Sequence, residues 1–460
     1  MTQAEAGILP TPAGFDAEVE TVIIGAGACG LVAALAAVQA DQSVLVLERD
    51  AVPAGSTSLS AGLIPAAGTR FQGHAGIADS PGGFAADIMA KAAGEPDAAI
   101  VAALTEGAAP AIEWLADHHG LPFSLVDDFD YPGHGARRMH GLPTRSGAEL
   151  IDALRAACER AGVDILCERT VADLFADAGQ RVTGLRAVLP NGAGETVGCQ
   201  RLILACNGFG GNAAKVSTHM PGIDEALYFG HAGNQGEALD WGRALGAATR
   251  HLGAYQGHGN VAHPHGILIT WAVITGGGFQ VNRDGARFWN EAQGYSEAAR
   301  AVLAQPGGTV WSIFDNRIAA IARQFEDFRQ AEAQNALLAA ATLADLADQI
   351  GVSERALEAS FASRQGRDSF GRDWSDTPDL QPPYLAVQVT GALFHTQGGL
   401  DIDATARVKR AEGGVLPNLF AAGGAACGVS GRGDTGYLSG NGLLSAVVLG
   451  RIAGSQGVAK

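Results

Sequence analysis

The chain has 460 residues, more than one ordinary domain needs, and 47% hydrophobic content is ample for a large core, so two domains are expected. Lysine and arginine number 31 against 48 acidic residues, a formal charge of −17 with no clustered basic run, which argues against nucleic acid or an anionic membrane surface as partner. Residues 1–19 show no basic stretch followed by an apolar run, and no segment is expected to reach the length of a membrane span, so a cytoplasmic location is expected.

Residues 22–30 read as a β-branched strand that breaks into Gly25-Ala26-Gly27-Ala28-Cys29-Gly30, followed by an alanine-rich helix through residue 37. A second apolar strand, residues 43–47, ends on Glu48. Gly25 lets the chain turn off the strand, Gly27 lets backbone approach a pyrophosphate, and Gly30 lets helix and strand pack closely. The helix start offers free N–H groups and a positive dipole end to phosphates, and Glu48 can accept both hydroxyls of an adenosine ribose. Strand, turn, helix and acid together predict a dinucleotide site. Residues 55–62 follow as a loop of small residues suited to close approach by a large flat ligand.

Residues 84–116 read as two helices and 123–140 as irregular, with Tyr131 a candidate to reach an active site. Residues 147–161 have helical periodicity, and 164–197 alternate like strands joined by turns such as Asn191-Gly192. A buried strand at 201–206 then runs into the glycine cluster 207–212. From 258 to 379 the character changes to a hairpin-like stretch at 276–288 and two helical runs, 317–329 and 343–363. This segment lacks a dinucleotide signature and reads as an insertion. The chain returns at 384–389, passes 418–424, and closes with 436–444 opening a final apolar helix. The six cysteines lack CxxC spacing and histidine partners, so buried reduced thiols are expected rather than disulfides or metal ligands.

Together these motifs resemble the flavoprotein subunit family of fumarate reductase and succinate dehydrogenase, which includes the ketosteroid dehydrogenases. The resemblance spans nearly the whole chain. It rests on residues 25–30 with Glu48, the 55–62 loop, 205–210, 281–291, 395–399, 419–423 and 439–442. It implies an α/β fold: a Rossmann-like FAD-binding domain (17–257 and 380–460) split by an inserted α+β capping domain (258–379). It further implies FAD and hydride exchange between the flavin and a carbon–carbon bond. The cofactor contacts it implies are Gly25, Ala26, Gly27, Cys29, Gly30, Glu48 and Arg49, then Ser56, Thr57, Ser60 and Gly62. Further along they are Val171, Ala205, Asn207, Gly208 and Asn212, then His395, Gly423, Ser439, Asn441, Leu443 and Leu444. Some members attach FAD through a histidine in the loop matching 55–62; none lies there, so FAD is expected to be non-covalent.

The departures bear on substrate. Where fumarate reductases carry a proton-delivering arginine, ungapped counting gives Tyr295, and the carboxylate-holding arginine is replaced by Tyr437. A family histidine is matched by Phe394, an acid and an arginine by Trp271 and Ile274, and the usual flavin-contacting glutamate by Gly424. His258 keeps a family histidine. A dicarboxylate needs charge-assisted partners, so fumarate and succinate are not the expected substrates. Trp271, Phe394, Tyr295 and Tyr437 suit an apolar ring carrying one oxygen, a small apolar ketone. The related ketosteroid enzymes, of which the Tyr437-x-Ser439 spacing resembles the Δ4 type, imply a cyclic-ketone desaturase. Tyr295 is then the expected base and Tyr437 the carbonyl donor, or the reverse, with Ser439 or His258 tuning a phenol. Lowering a phenol pKa needs a donor or a positive charge, for which Arg287, Arg138 and His140 are the candidates. The same residues would serve an ene-reductase of an enone or unsaturated acid; the electron acceptor is not specified by the sequence.

Overall fold

A computed structural model describes residues 7–128 and 130–457. Residues 1–6, where part of the reading of the opening segment falls, and Phe129, in the irregular stretch, lie outside the described residues.

The β-branched strand Ala17–Ile24 sits mid-sheet, parallel to Val44–Leu47 on one side and to Gly194–Leu204 on the other. Gly194–Leu204 pairs in parallel with Val415–Ala421, and Val44–Leu47 with Asp164–Leu166. Thr170–Ala176 and Val182–Val188 extend the sheet as antiparallel strands, with Gly7–Pro10 at the edge. Near-continuous Val, Ile and Leu in the central strands is what burial on both faces requires. Ile23 is fully buried there, and Ile23→Ala would cost about 2–5 kcal/mol. Ile24, Leu47, Leu204 and Ala421 end side by side, joined by Gly25 N–H to Leu47 O (2.8 Å), Ala205 N–H to Ile24 O (2.9 Å) and Ala422 N–H to Leu204 O (3.1 Å). Ligands of open parallel sheets bind at such a carboxyl edge.

Helix Ala28–Gln39 leaves this edge and packs on the closing helix Asn441–Ser455. Their approach requires glycine: a Cβ on Gly454 would stand 2.2 Å from Ala33 O. Behind them lies Ala98–His119, which is long and apolar enough to cross a membrane by length and composition, contrary to the expectation that no segment would be. Its apolar residues, among them Leu104, Ala108, Ile112 and Leu115, are buried in the core, which accounts for its composition.

The second sheet is built on the long strand Tyr384–Thr396, which pairs antiparallel with Tyr255–Ala262, Thr309–Asp315 and Leu337–Ala340. Two of these strands therefore reach outside residues 258–379. Two sequence expectations are corrected here. Phe279–Val281 pairs with Thr309–Asp315 and not with the residues that follow its own tight turn, where Asn282 N–H bonds Ala286 O (3.0 Å), so 276–288 is not a hairpin. Each helical run is two helices: Asn316–Ala322 and Glu326–Ala333, then Leu343–Ile350 and Glu354–Ala362. The second break falls at Gly351, whose φ of 72° ends a helix in the left-handed region.

Candidate active site

One continuous cavity runs from the carboxyl edge of the first sheet to the underside of the second. At the first end Gly25, Gly27 and Cys29 face it beside Glu48 and Arg49. Ala26 and Gly30 stand behind: Ala26 N–H donates to Glu48 Oε2 (2.7 Å), and a Cβ on Gly30 would lie 1.8 Å from Gly25 O. Glu48 is 6% exposed, and its other oxygen takes the Asp50 N–H (3.1 Å), so the carboxylate is held at the strand end. The helix start has no side-chain cap apart from Thr57 Oγ1, which accepts the Ala28 N–H at 3.2 Å, and its remaining free amides are available to an anion.

Ser56, Thr57, Ser60 and Gly62 line the cavity next, with Ser56 Oγ taking His231 N–H (3.1 Å) and Asn234 Nδ2 (2.8 Å). Val171, Ala205, Asn207 and Gly423 complete this end, and Leu443, Ser439 and His395 lead toward the second sheet. Besides Ala26 and Gly30, four expected contacts stand outside the lining. Asn212 caps the helix Ala213–His219 through Lys215 N–H, Leu444 is core, Gly208 is pressed against Thr396, and Asn441 begins the closing helix. The side-chain oxygen and nitrogen of Asn441, Ser445 Oγ and Thr396 Oγ1 are buried without partners. Orphaned polar atoms beside a glycine cradle and a buried acid at the strand end fit FAD.

At the second end the aromatic residues converge. Tyr295 is the first residue of helix Tyr295–Leu303 and stacks on His258 (centroids 4.7 Å, 22°). His258 stacks in turn on Phe394 (5.1 Å), and Phe394 on Phe229 (4.7 Å). Trp271 meets His258 edge-on (5.9 Å), with its indole N–H buried and without a partner. Tyr437 lies 6.0 Å from Tyr295 and 5.8 Å from His395, ring to ring. Tyr131 also lines the cavity. Ser439 hydrogen-bonds Tyr295, and its carbonyl accepts His134 Nε2 (3.0 Å). Tyr437 Oη accepts the Gly442 N–H at 3.4 Å, at the start of the closing helix.

Burial dominates the titration of these groups. It drives Tyr295 well above the ordinary phenol value, with neighbouring Tyr437 adding to the rise, and pushes Tyr437 up to about 12 against the opposing Gly442 N–H. Burial raises Tyr131 too. His258 is pushed down to about 3 and His395 to about 4, so both rings are neutral.

The three groups expected to assist a phenol are engaged elsewhere. Arg138 is paired to Asp79 (2.8 Å) and Asp87 (2.6 Å), Arg287 to Glu291 (2.7 Å) and Asp368 (2.6 Å), and His140 to Thr69 (2.8 Å) and Arg138 O (2.9 Å). The groups that do meet the phenols are Ser439 at Tyr295 and, at Tyr437, the Tyr295 hydroxyl and the backbone of Gly440 and Gly442; a backbone amide carries no residue-type signal. Sequence reasoning also missed four lining residues: Gln256 and Thr270, from a strand and a loop of the second sheet, Arg169, from behind Glu48, and Asp327, from helix Glu326–Ala333. Among the described residues no His, Cys, Asp and Glu group is arranged to hold a metal, and all six cysteines are free.

A family model described as an FAD binding domain matches residues 20–443. A probable fumarate reductase of Shewanella frigidimarina is 30% identical over 96% of this chain and 75% of its own length. The chain belongs to the fumarate reductase flavoprotein family. It is an FAD-dependent oxidoreductase acting on CH–CH groups. Another relative, the 4-oxocyclohexanecarboxylate 2-dehydrogenase of Sinomonas cyclohexanicum, is 25% identical, with 92% of each chain covered. The fold is shared with the 3-ketosteroid Δ4-(5α)-dehydrogenase of Rhodococcus jostii, at a TM-score of 0.76, 23% identity, and coverage of 99% of this chain and 100% of that one.

Proposed function

We propose that this flavoenzyme desaturates a cyclic ketone, introducing a double bond α,β to the carbonyl. The observation that carries the reading is the second end of the cavity: three tyrosines gathered in an apolar aromatic wall that no lysine or arginine lines among the described residues. Seating a carboxylate there without a cation costs several kcal/mol, whereas a ketone needs only one or two neutral donors. The relative whose name gives a cyclic oxo-acid as substrate supports the same class.

Bound FAD supplies the hydride acceptor. Tyr437 sits beside the Gly442 N–H at a helix start, so its hydroxyl and that amide are the two donors for the carbonyl oxygen. Polarisation acidifies the Cα proton, which Tyr295 accepts as the phenolate, becoming the neutral phenol, with Ser439 hydrogen-bonded to Tyr295. His258, neutral and sandwiched between Tyr295 and Phe394, fixes the Tyr295 ring plane. Trp271 and Phe394 hold the apolar ring of the substrate. FAD is held non-covalently, since residues 55–62 contain no histidine.

The test is turnover of a saturated cyclic ketone with an artificial electron acceptor. Tyr295→Phe and Tyr437→Phe are each expected to lose activity while keeping the flavin; full activity in both variants contradicts the assignment. The reductase names of the relatives favour a second reading, reduction of an enone by the same residues run backwards, with Tyr295 protonating Cα. The flavin midpoint potential measured against that of the substrate couple separates the two directions.

A further inference from the structure

The two ends of the cavity differ in charge. Arg49 and Arg169 line it at the Glu48 end, each already paired, to Glu237 (2.7 Å) and Glu195 (2.9 Å). Toward the second sheet the charge reverses: among aromatic, apolar and uncharged polar residues, the carboxylate in the lining is Asp327.

Asp327 is in the first turn of Glu326–Ala333, a helix packed on the short strand Ile267–Leu268. Leu268 and Phe325 line the cavity as well, and Phe325 belongs to the apolar cluster that contains Trp271, Tyr295 and Tyr437. The carboxylate therefore faces the substrate end and not the cofactor end. It forms no hydrogen bond or ion pair among the described residues; burial and the like charge of Glu326 act on it, and both disfavour its ionisation. The result is a carboxyl group raised to about 6, still charged at neutral pH. A partly buried carboxylate with no internal partner is costly, and the cost is relieved when a ligand brings a donor to it.

Building on the ketone reading, we propose that Asp327 sets specificity at the far end of the substrate: it accepts a hydrogen bond from a hydroxyl remote from the reacting carbonyl and rejects a carboxylate there. The first half follows from acceptor chemistry, since an ionised carboxylate can only accept. The second follows from like charges meeting where no lysine or arginine lines the wall; Arg145 stands behind it, over the Phe325 ring (5.9 Å), and is engaged by Asp128 (3.3 Å). The substrate class narrows to uncharged hydroxylated cyclic ketones, and this chain is separated from relatives named for carboxylic acids.

The experiment uses the FAD-loaded full chain at about pH 7.5. Matched one-ring and two-ring ketones carry a hydroxyl, a methyl or a carboxylate opposite the carbonyl, and kcat/KM is compared for wild type, Asp327→Asn and Asp327→Leu. Wild type should favour hydroxyl over methyl by about 10- to 100-fold, the usual worth of a hydrogen bond to a charged group, and turn over the carboxylate poorly. Asp327→Leu should erase the hydroxyl preference. Asp327→Asn should raise kcat/KM for the carboxylate ketone about tenfold or more with flavin content unchanged. If the leucine variant does not retain FAD, the asparagine arm decides. An unchanged ranking while the ketones still turn over overturns the role of Asp327 alone. Failure of every ketone to reduce the flavin, in wild type and variants, overturns the ketone reading and this inference with it.

Discussion

The two ends of one cavity are built by different means. The FAD end is made mostly of backbone: strand termini, a glycine turn, two helix starts, and one carboxylate, Glu48, pinned by two amides. The substrate end is made of side chains from separate segments, with Tyr131, His258, Trp271, Tyr295, Phe394 and Tyr437 meeting although they span some three hundred residues of sequence. A backbone site tolerates little change, because its atoms cannot move aside. A side-chain site can be refitted one residue at a time, which lets one scaffold serve carboxylates in some members and ketones in others.

The sharpest way to break this comparison is at Gly30. A Cβ there would stand 1.8 Å from a backbone oxygen, so Gly30→Ala should yield protein with little or no bound flavin, measured by absorbance of the purified chain. Retention of full flavin content would mean that the backbone end is more pliable than argued. Next in size is Tyr295→Phe, expected to lower kcat by about 10²–10⁴, the usual worth of a positioned acid or base, with flavin content intact. Because burial raises the Tyr295 phenol, wild-type desaturation should speed up as pH climbs and the phenolate fraction grows, and the variant should lose that rise. Glu48→Gln should weaken FAD binding by about 1.5–3 kcal/mol, the value of hydrogen bonds to a charged group, and leave the KM for ketone unchanged. A changed KM would show that the two ends are coupled.

The smallest effect is on acid stability. His258 is lowered to about 3, and His134, His140 and His395 to about 4, all chiefly by burial. The folded chain keeps these rings neutral, while the unfolded chain protonates them below about pH 6.5. Their contribution is therefore complete above about 6.5 and is lost as pH falls from there toward about 4, and for His258 toward about 3. Melting temperature should drop across that window, and His258→Phe should flatten the drop; an unaltered slope in the variant would exclude His258 as a contributor.

Legibility followed the same division. The glycine turn, the helix Ala28–Gln39 and Glu48 were readable because each encodes backbone geometry in residue type over a short span. The aromatic replacements were readable only through counting against a family pattern. What the sequence concealed was non-local. Arg287, Arg138 and His140 looked like partners for a phenol, but the arginines spend their donors on Glu291, Asp79 and Asp87, and the neutral His140 donates to the Arg138 carbonyl and accepts from Thr69. The Gly442 amide that meets Tyr437 has no side-chain signature, and nothing in residue type marks Asp327 within the helical run 317–329. Helix breaks such as the one at Gly351 were blurred because apolar spacing continues across the turn.

The most direct test of the central claim is anaerobic titration of the oxidised flavoprotein. A saturated cyclic ketone should bleach the flavin band and yield the enone, while succinate leaves the spectrum unchanged. Bleaching by succinate with no response to any ketone would contradict the account, because it would require a carboxylate to be held where the cavity offers aromatic rings and phenols.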